Sequence, residues 1–345
     1  MFSDDQSQNH QSQMVHVIRT IDAHVGGQPL RLIVDGAPRL AGKTMARKRD
    51  AMRRHGDHLR RALVLEPRGH TDMFAALLTE PVTPGAHAGL LFMHADGFTA
   101  MSGHAVIGAA TIALERGLIV TDRETLTFDT VAGAVHVHAR VQEHGERRRV
   151  DSVAFTNVPS FVASPGHAVR IGTREVRVDV AFGGLFYGIV DTEAIGIPLD
   201  PARLPELRRL GAEIGHALDA SGIEHPADAA LSGATGVIFT GPPRDPEAHL
   251  RNVAVLGSGA VDRSPCGTGT SAVMAVLDAM GLLPEQEVFV HESLIGTLLR
   301  GRILGRTQVG EFPAIVPQIE GTAWLTGEHT FYVDDDDPLH DGFRL

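Results

Sequence analysis

The sequence predicts an α+β protein of two similar domains, each with strands wrapped round one central buried helix, and with a functional site in the cleft between them. Three observations carry that expectation. A glycine-punctuated strand motif occurs twice: Asp22-Ala-His-Val-Gly-Gly, a strand and Val34-Asp35 match Asp179-Val-Ala-Phe-Gly-Gly, a strand and Val190-Asp191. Two segments, one after Ser102 and one after Cys266, read as helices that are apolar on every side, as a helix buried all round must be. Each opens with a small side chain that can carry chemistry, Ser102 in Met-Ser-Gly-His-Ala and Cys266 in Pro-Cys-Gly-Thr-Gly. Ser102 stands the same fifteen positions before Gly117 as Cys266 does before Gly281. These matches fall in one order along the chain, which marks an internal repeat.

Composition agrees with this reading. The chain has 345 residues, enough for two domains of roughly 100–200 residues each. Hydrophobic residues make up 43% and charged residues 21%, and the net charge is −11. That is a globular composition. With no basic surplus to neutralise phosphates, nucleic acid is not expected as a partner. No apolar run reaches the roughly 18 residues of a membrane span. A single cysteine permits no internal disulfide, and residues 1–13 (MFSDDQSQNHQSQ) lack the basic and apolar regions of a signal peptide. A disordered tail and a cytoplasmic protein are expected from these features.

Taken in order, Val15–Ile21 and Leu30–Val34 alternate as strands about a glycine-rich turn. Residues 43–63 have helical spacing and many cations, read as a solvated face. Glu66-Pro-Arg-Gly-His70-Thr-Asp72-Met is a polar loop that could border a site or simply turn. His70 and Asp72 have no third ligand at a recognisable spacing, so no metal is expected. Gly89–His94 is a strand, Asp96-Gly97 a turn, and Ala105–Leu114 the first buried helix, with Gly117 just past its end. Strands are expected over 126–131, 135–141, 150–155, 176–180, 186–190, 236–240 and 253–256. An amphipathic helix is expected over 201–220. The helix after Cys266 ends at Gly281. Val288–His291 reads as a strand and His291-Glu-Ser-Leu-Ile-Gly296 as the opening of another helix, which keeps His291 and Glu292 out of the site. Residues 322–345 carry strand signals and an acidic turn. Trp324, Phe182 and Phe331 are assigned to packing.

The repeat suggests where chemistry lies. A helix N-terminus offers unpaired N–H groups and a partial positive charge. Two such termini facing each other would hold one carboxylate, with Ser102 and Cys266 flanking the bound molecule. A helix N-terminus lowers a thiol pKa, so Cys266 is expected to act as a base near neutrality. Donors aimed at a carboxylate stabilise charge moving onto it. The constellation suits removal of an α-proton from a small amino acid.

Asp262-Arg-Ser-Pro-Cys-Gly-Thr-Gly-Thr-Ser-Ala272, Met101-Ser-Gly-His104, Glu66-Pro-Arg-Gly-His70, Phe182-Gly-Gly184 and His291-Glu-Ser293 resemble the proline racemase family, from about Val17 to the C-terminus. The resemblance implies a cofactor-independent enzyme with a two-domain, diaminopimelate-epimerase-like fold whose last strands return to the first domain. The expected division is 14–170 plus about 325–345 for the first domain and 171–324 for the second. The resemblance further implies that Gly103, His104, Gly267 and Thr268 hold the substrate carboxylate and that Asp262, with His104, contacts a ring nitrogen. Racemases of the family carry cysteine at both helix starts, whereas this chain has Ser102 at the first, and Ala105 where many members have Gly. A two-base racemase needs an acid on one face and a base on the other. A Ser/Cys pair therefore resembles trans-3-hydroxy-L-proline dehydratases, with 4-hydroxyproline epimerisation as the alternative and proline racemisation behind it. Which of Ser102 and Cys266 takes the α-proton is left open, and a homodimer is compatible with the sequence.

Three other readings compete. Val253-Ala-Val-Leu-Gly-Ser-Gly-Ala-Val-Asp262 approaches a dinucleotide fingerprint, but Asp262 replaces the third glycine and Pro265 interrupts any helix there. A serine hydrolase would need glycines at positions 100 and 104, where Ala and His stand. A non-catalytic binder of hydroxyproline would bind without turnover.

Overall fold

The computed structural model describes residues 15–121, 125–144, 147–283 and 287–344. The expected disordered tail, residues 1–13, lies outside the described residues. The first half runs β1 (Val15–Val25), β2 (Gln28–Asp35), α1 (Met45–His55), α2 (Asp57–Val64), β3 (Phe74–Thr79), β4 (Ala88–His94), β5 (Gly97–Thr99), α3 (Gly103–Glu115), β6 (Thr125–Thr130), β7 (Gly133–His144) and β8 (Arg147–Thr156). The second runs β9 (Ser160–Ile171), β10 (Arg174–Phe182), β11 (Phe186–Asp191), α4 (Thr192–Ile195), α5 (Leu204–Ala220), β12 (Ala234–Gly241), β13 (Leu250–Leu256), β14 (Val261–Asp262), α6 (Gly267–Ala279), β15 (Phe289–Ser293), β16 (Leu298–Val309) and β17 (Phe312–Gly321). The last strand, β18 (Ala323–Asp334), returns to pair antiparallel with β1.

The repeat is structural as well as sequential. In the first half β1–β2 is antiparallel, β2–β3 parallel, β3–β4 and β4–β5 antiparallel, β4–β6 parallel, and β6–β7 and β7–β8 antiparallel. In the second half β10–β11, β11–β12, β12–β13, β13–β14, β13–β15, β15–β16 and β16–β17 follow the same succession of senses. Matching side chains pin matching loops. The Asp129 carboxylate accepts from the amides of Val82 and Thr83, and the Glu292 carboxylate accepts from those of Arg244 and Asp245. His87 and His249 each accept a backbone N–H through Nδ1, from Thr127 and Val290.

Every residue of α3 from Gly103 to Leu114 is buried, and α6 is buried from Gly267 to Val276. Strands of both halves and both helices share one apolar cluster. Helices α1 and α2 close the outer face of the first half through Met45, Met52, Leu59 and Leu63, and α5 closes the second through Leu207, Leu210, Ile214 and Leu218. Each fully buried side chain of this kind contributes about 1.5–3 kcal/mol. The halves are also joined by backbone pairing of β17 with β8.

Several expectations are corrected. β9 pairs with β10 and places Phe161 and Val169 in the second core. We propose from this pairing that the crossover between the halves lies at residues 157–159, where 170 was expected. The first strand runs on through Val25, so the turn shrinks to Gly26-Gly27. The cationic helix breaks at Gly56, and two of its cations are buried. Lys48 Nζ donates to Thr79 Oγ1 at 3.2 Å, and Arg60 donates to Asp57 and to the carbonyls of His94 and Ala95. Residues 291–296 form no helix: His291 and Glu292 lie on β15, and Ser293 Oγ accepts from the amides of Ile295 and Thr297 to make a turn. Trp324 is half exposed, with the Arg149 guanidinium 4.8 Å over its ring. The near-fingerprint after β13 turns into antiparallel β14, not into a helix, which removes the dinucleotide reading.

Candidate active site

Helices α3 and α6 meet N-terminus to N-terminus. A Cβ on Gly103 would lie 2.8 Å from Gly267 Cα, and one on Gly267 would lie 2.9 Å from Gly103 Cα. No L side chain fits between them, so glycine at both positions is what lets the two termini converge. The amides of Gly103, His104, Gly267 and Thr268 occupy first-turn positions that have no acceptor within their own helix. Ser102, Gly103, His104, Asp262, Cys266, Gly267 and Thr268 all line one cavity of about 620 Å³, mouth included. The structure thus brings every expected site residue together.

The two helix starts differ. Ser102 has extended backbone, φ −154° and ψ 111°, and its Oγ accepts from the Ala105 amide at 3.4 Å as an N-cap. The same Oγ lies 3.2 Å from His104 Nδ1. Cys266 has φ +63° and makes no side-chain cap. Among the described residues it is the one non-glycine with positive φ. Such a conformation costs of order 1–3 kcal/mol and persists only where its surroundings over-determine it. They do so here. Cys266 N donates to Ser264 Oγ at 3.1 Å, and the Pro265 carbonyl accepts from both Asn252 Nδ2 at 2.7 Å and Thr270 Oγ1 at 3.1 Å. His291 Nδ1 in turn contacts Thr270 Oγ1 and Asn252 Nδ2. Those buried β15 and β13 side chains buttress the thiol from behind.

The expected low thiol pKa is not found. Burial pushes Cys266 up to about 12, and the Asp262 carboxylate adds to the rise. Hydrogen bonds from Thr268, the Gly269 amide and Tyr187 pull it down but do not win. Desolvation of a charge in a closed pocket outweighs the favourable helix terminus.

Asp262 Oδ1 accepts from the amide and hydroxyl of Ser264 at 2.8 and 2.7 Å, which aims the carboxylate. Its Oδ2 lies 3.9 Å from His104 Nδ1. Burial holds the His104 imidazole below its ordinary value against the opposing pull of Asp262, which favours the neutral ring. His104 Nε2 is buried without a partner among the described residues. A buried nitrogen left so costs about 1–3 kcal/mol until something pairs with it.

Residues not anticipated also line the cavity. Tyr187 Oη lies 2.9 Å from Thr268 Oγ1 and 3.7 Å from Cys266 Sγ. Its one sequence signal is its place after Phe182-Gly-Gly184, where a Cβ on Gly183 would stand 2.1 Å from the Thr268 carbonyl. The strand is pressed onto the start of α6. Thr71–Met73 of the polar loop and Phe74 at the start of β3 border the cavity, and the Phe74 ring meets His104 edge-on at 4.6 Å. Asp72 accepts from Arg263 at 2.9 Å and Arg208 at 3.4 Å, fastening the first half to the second beside the mouth.

The sequence model of the proline racemase family matches residues 20–344. A trans-3-hydroxy-L-proline dehydratase of Bacillus cereus is 40% identical over 95% of this chain and 98% of its own. A 4-hydroxyproline 2-epimerase of Streptosporangium roseum is likewise 40% identical over 95% of this chain and 98% of its own. Among solved structures, a hydroxyproline epimerase from Agrobacterium vitis with bound trans-4-hydroxy-L-proline superposes with a TM-score of 0.89 at 31% identity, covering 96% of this chain and 95% of that one.

Proposed function

The chain belongs to the proline racemase family, and we propose that within it the protein dehydrates trans-3-hydroxy-L-proline. The observation that carries this reading is the unlike pair, Ser102 and Cys266, on facing helix starts of one cavity. The four first-turn amides hold the substrate carboxylate, a helix-terminus anion site. Asp262 and the unpaired Nε2 of His104 take the ring nitrogen, and the α-carbon then sits between Ser102 and Cys266.

The raised thiol fits a substrate-triggered step. A protonated ring nitrogen beside Asp262 cancels the carboxylate that helps hold the thiol neutral, so binding itself promotes the thiolate. Cys266 then takes the α-proton. The C2–H electron pair forms the C2=C3 bond, the C3–O bond breaks, and the same group returns the proton to the leaving hydroxyl as water. In trans-3-hydroxy-L-proline the α-hydrogen and the 3-hydroxyl share a face, so one residue serves both ends. The enamine product tautomerises to Δ1-pyrroline-2-carboxylate.

Epimerisation of 4-hydroxyproline is the second reading, favoured by the contact between Ser102 and His104 Nδ1, which gives the other face a proton path. The test is incubation with trans-3-hydroxy-L-proline, trans-4-hydroxy-L-proline and L-proline in D₂O, followed by NMR. Loss of water from the first substrate is expected. Deuterium at C2 of the second with its hydroxyl retained would report epimerisation. Exchange of L-proline alone would overturn the dehydratase reading.

A further inference from the structure

Cys266 is a buried thiol whose ionised form must be solvated by the protein, and water has little room beside it. Three groups on two elements meet its sulfur. Thr268 Oγ1 lies 3.7 Å from Sγ, Tyr187 Oη also lies 3.7 Å from it, and the two hydroxyls are 2.9 Å apart. The Gly269 amide is the third. Tyr187 is 2% exposed and Thr268 2%. The triangle of Sγ, Oη and Oγ1 therefore closes without solvent.

We infer that Tyr187 is a catalytic residue of this site, forming with Thr268 a hydroxyl pair that turns as the proton comes and goes on Cys266. A hydroxyl both donates and accepts, and its hydrogen rotates to suit its neighbour. With a thiolate present, Tyr187 O–H and Thr268 O–H can both point at Sγ. With a thiol present, S–H donates into the pair and the hydroxyls bond to each other. No heavy atom has to move. An amide can only donate, so the Gly269 N–H cannot make this exchange. Burial raises the Tyr187 phenol well above its ordinary value, so it stays a proton-bearing donor throughout. The ionisable groups around the thiol are Asp262 on β14, Tyr187 on β11 and, across the cleft from α6, His104 facing Asp262. Neither Asp262 nor His104 can take over this role: one repels the thiolate and the other is held against the carboxylate.

The test rests on the active-site reading of Cys266 but needs no substrate. Cys266 is the only cysteine in the chain, so alkylation by iodoacetamide, followed by intact mass, reports it alone. In Tyr187→Phe the ring is kept and one donor to a charged group is lost, which shifts the thiol further upward and leaves about tenfold less thiolate at a given pH. Tenfold less thiolate, partly offset by its greater nucleophilicity, slows alkylation at a fixed pH by about threefold or more. The rate-against-pH curve should move to the alkaline side with unchanged shape. Thr268→Val should do the same from the other end of the pair, and Thr268→Ser should restore the rate. Alkylation at the wild-type rate in Tyr187→Phe, in protein whose circular dichroism and melting match wild type, overturns the inference. Absence of dehydration, epimerisation and L-proline exchange in the wild-type protein, with the alkylation shift intact, would instead count against the substrate assignment alone.

Discussion

The start of α3 and the start of α6 occupy equivalent places in the repeat, yet they are built differently. At Ser102 the backbone is extended and the side chain caps its own helix. At Cys266 the backbone is held at φ +63°, the side chain caps nothing, and Ser264, Asn252 and Thr270 fix the flanking peptide groups. An ordinary N-cap turns its oxygen back onto the helix. The strained terminus frees the thiol from that duty and leaves it to Tyr187, Thr268 and the cavity. The same pair of helices thus presents one side chain that caps its own helix and one that does not.

Several variants test that contrast. Cys266→Ala should remove turnover, a fall of at least about 10²–10⁴-fold if the thiol moves the proton, measured as deuterium exchange at C2. Near-normal exchange would show that the Cys266 end is not the reactive one. Gly103→Ala should come next. Its methyl would stand 2.8 Å from Gly267 Cα, and overpacking of that sort costs about 1–3 kcal/mol. A lower melting temperature together with weakened carboxylate binding is expected, and an unperturbed melt would mean the termini do not touch in solution.

Ser102→Cys should raise epimerisation relative to dehydration, because it restores a second thiol opposite the first. An unchanged product ratio by NMR would count against the role given to Ser102. Ser102→Ala should cost about 1 kcal/mol or less in a denaturant melt, since its cap is long at 3.4 Å.

Alkaline stability separates the two ends most simply. The folded thiol lies at about 12 against an ordinary 9.0, so above pH 9.0 the unfolded chain gives up a proton that the folded one keeps. Stability attributable to Cys266 is full below pH 9.0 and is lost as pH rises towards 12, by at most about 1.4 kcal/mol per unit. Cys266→Ala should therefore lose less stability than wild type between pH 9 and 11, where Ser102→Ala should track it. Parallel curves for Cys266→Ala and wild type would refute the buried, raised thiol.

Much of this arrangement was legible in the chain. The two helices buried all round, the equal spacing to Gly117 and Gly281, and the Ser and Cys at their starts indicated the paired termini, and all seven site residues anticipated line the cavity. Strands that carry turn residues were not legible. β9 contains Ser164-Pro165-Gly166, and it continues through a register shift against β10. β17 contains Pro313 and Pro317, which argue against a strand on local grounds. The loop before β3 was readable as polar, but its Asp72 link to Arg208 and Arg263 joins residues far apart in sequence.

By itself the sequence determined the repeat, the buried helices and the identity of the residues at their starts, because periodicity and spacing are properties of a local stretch. Only the tertiary structure decided the state of those residues. The pKa of Cys266 depends on how much water the folded pocket excludes and on Asp262, and its partner Tyr187 arrives from another strand. Desolvation and cross-strand contact are set by the whole packing, and no neighbouring letters in the chain encode them.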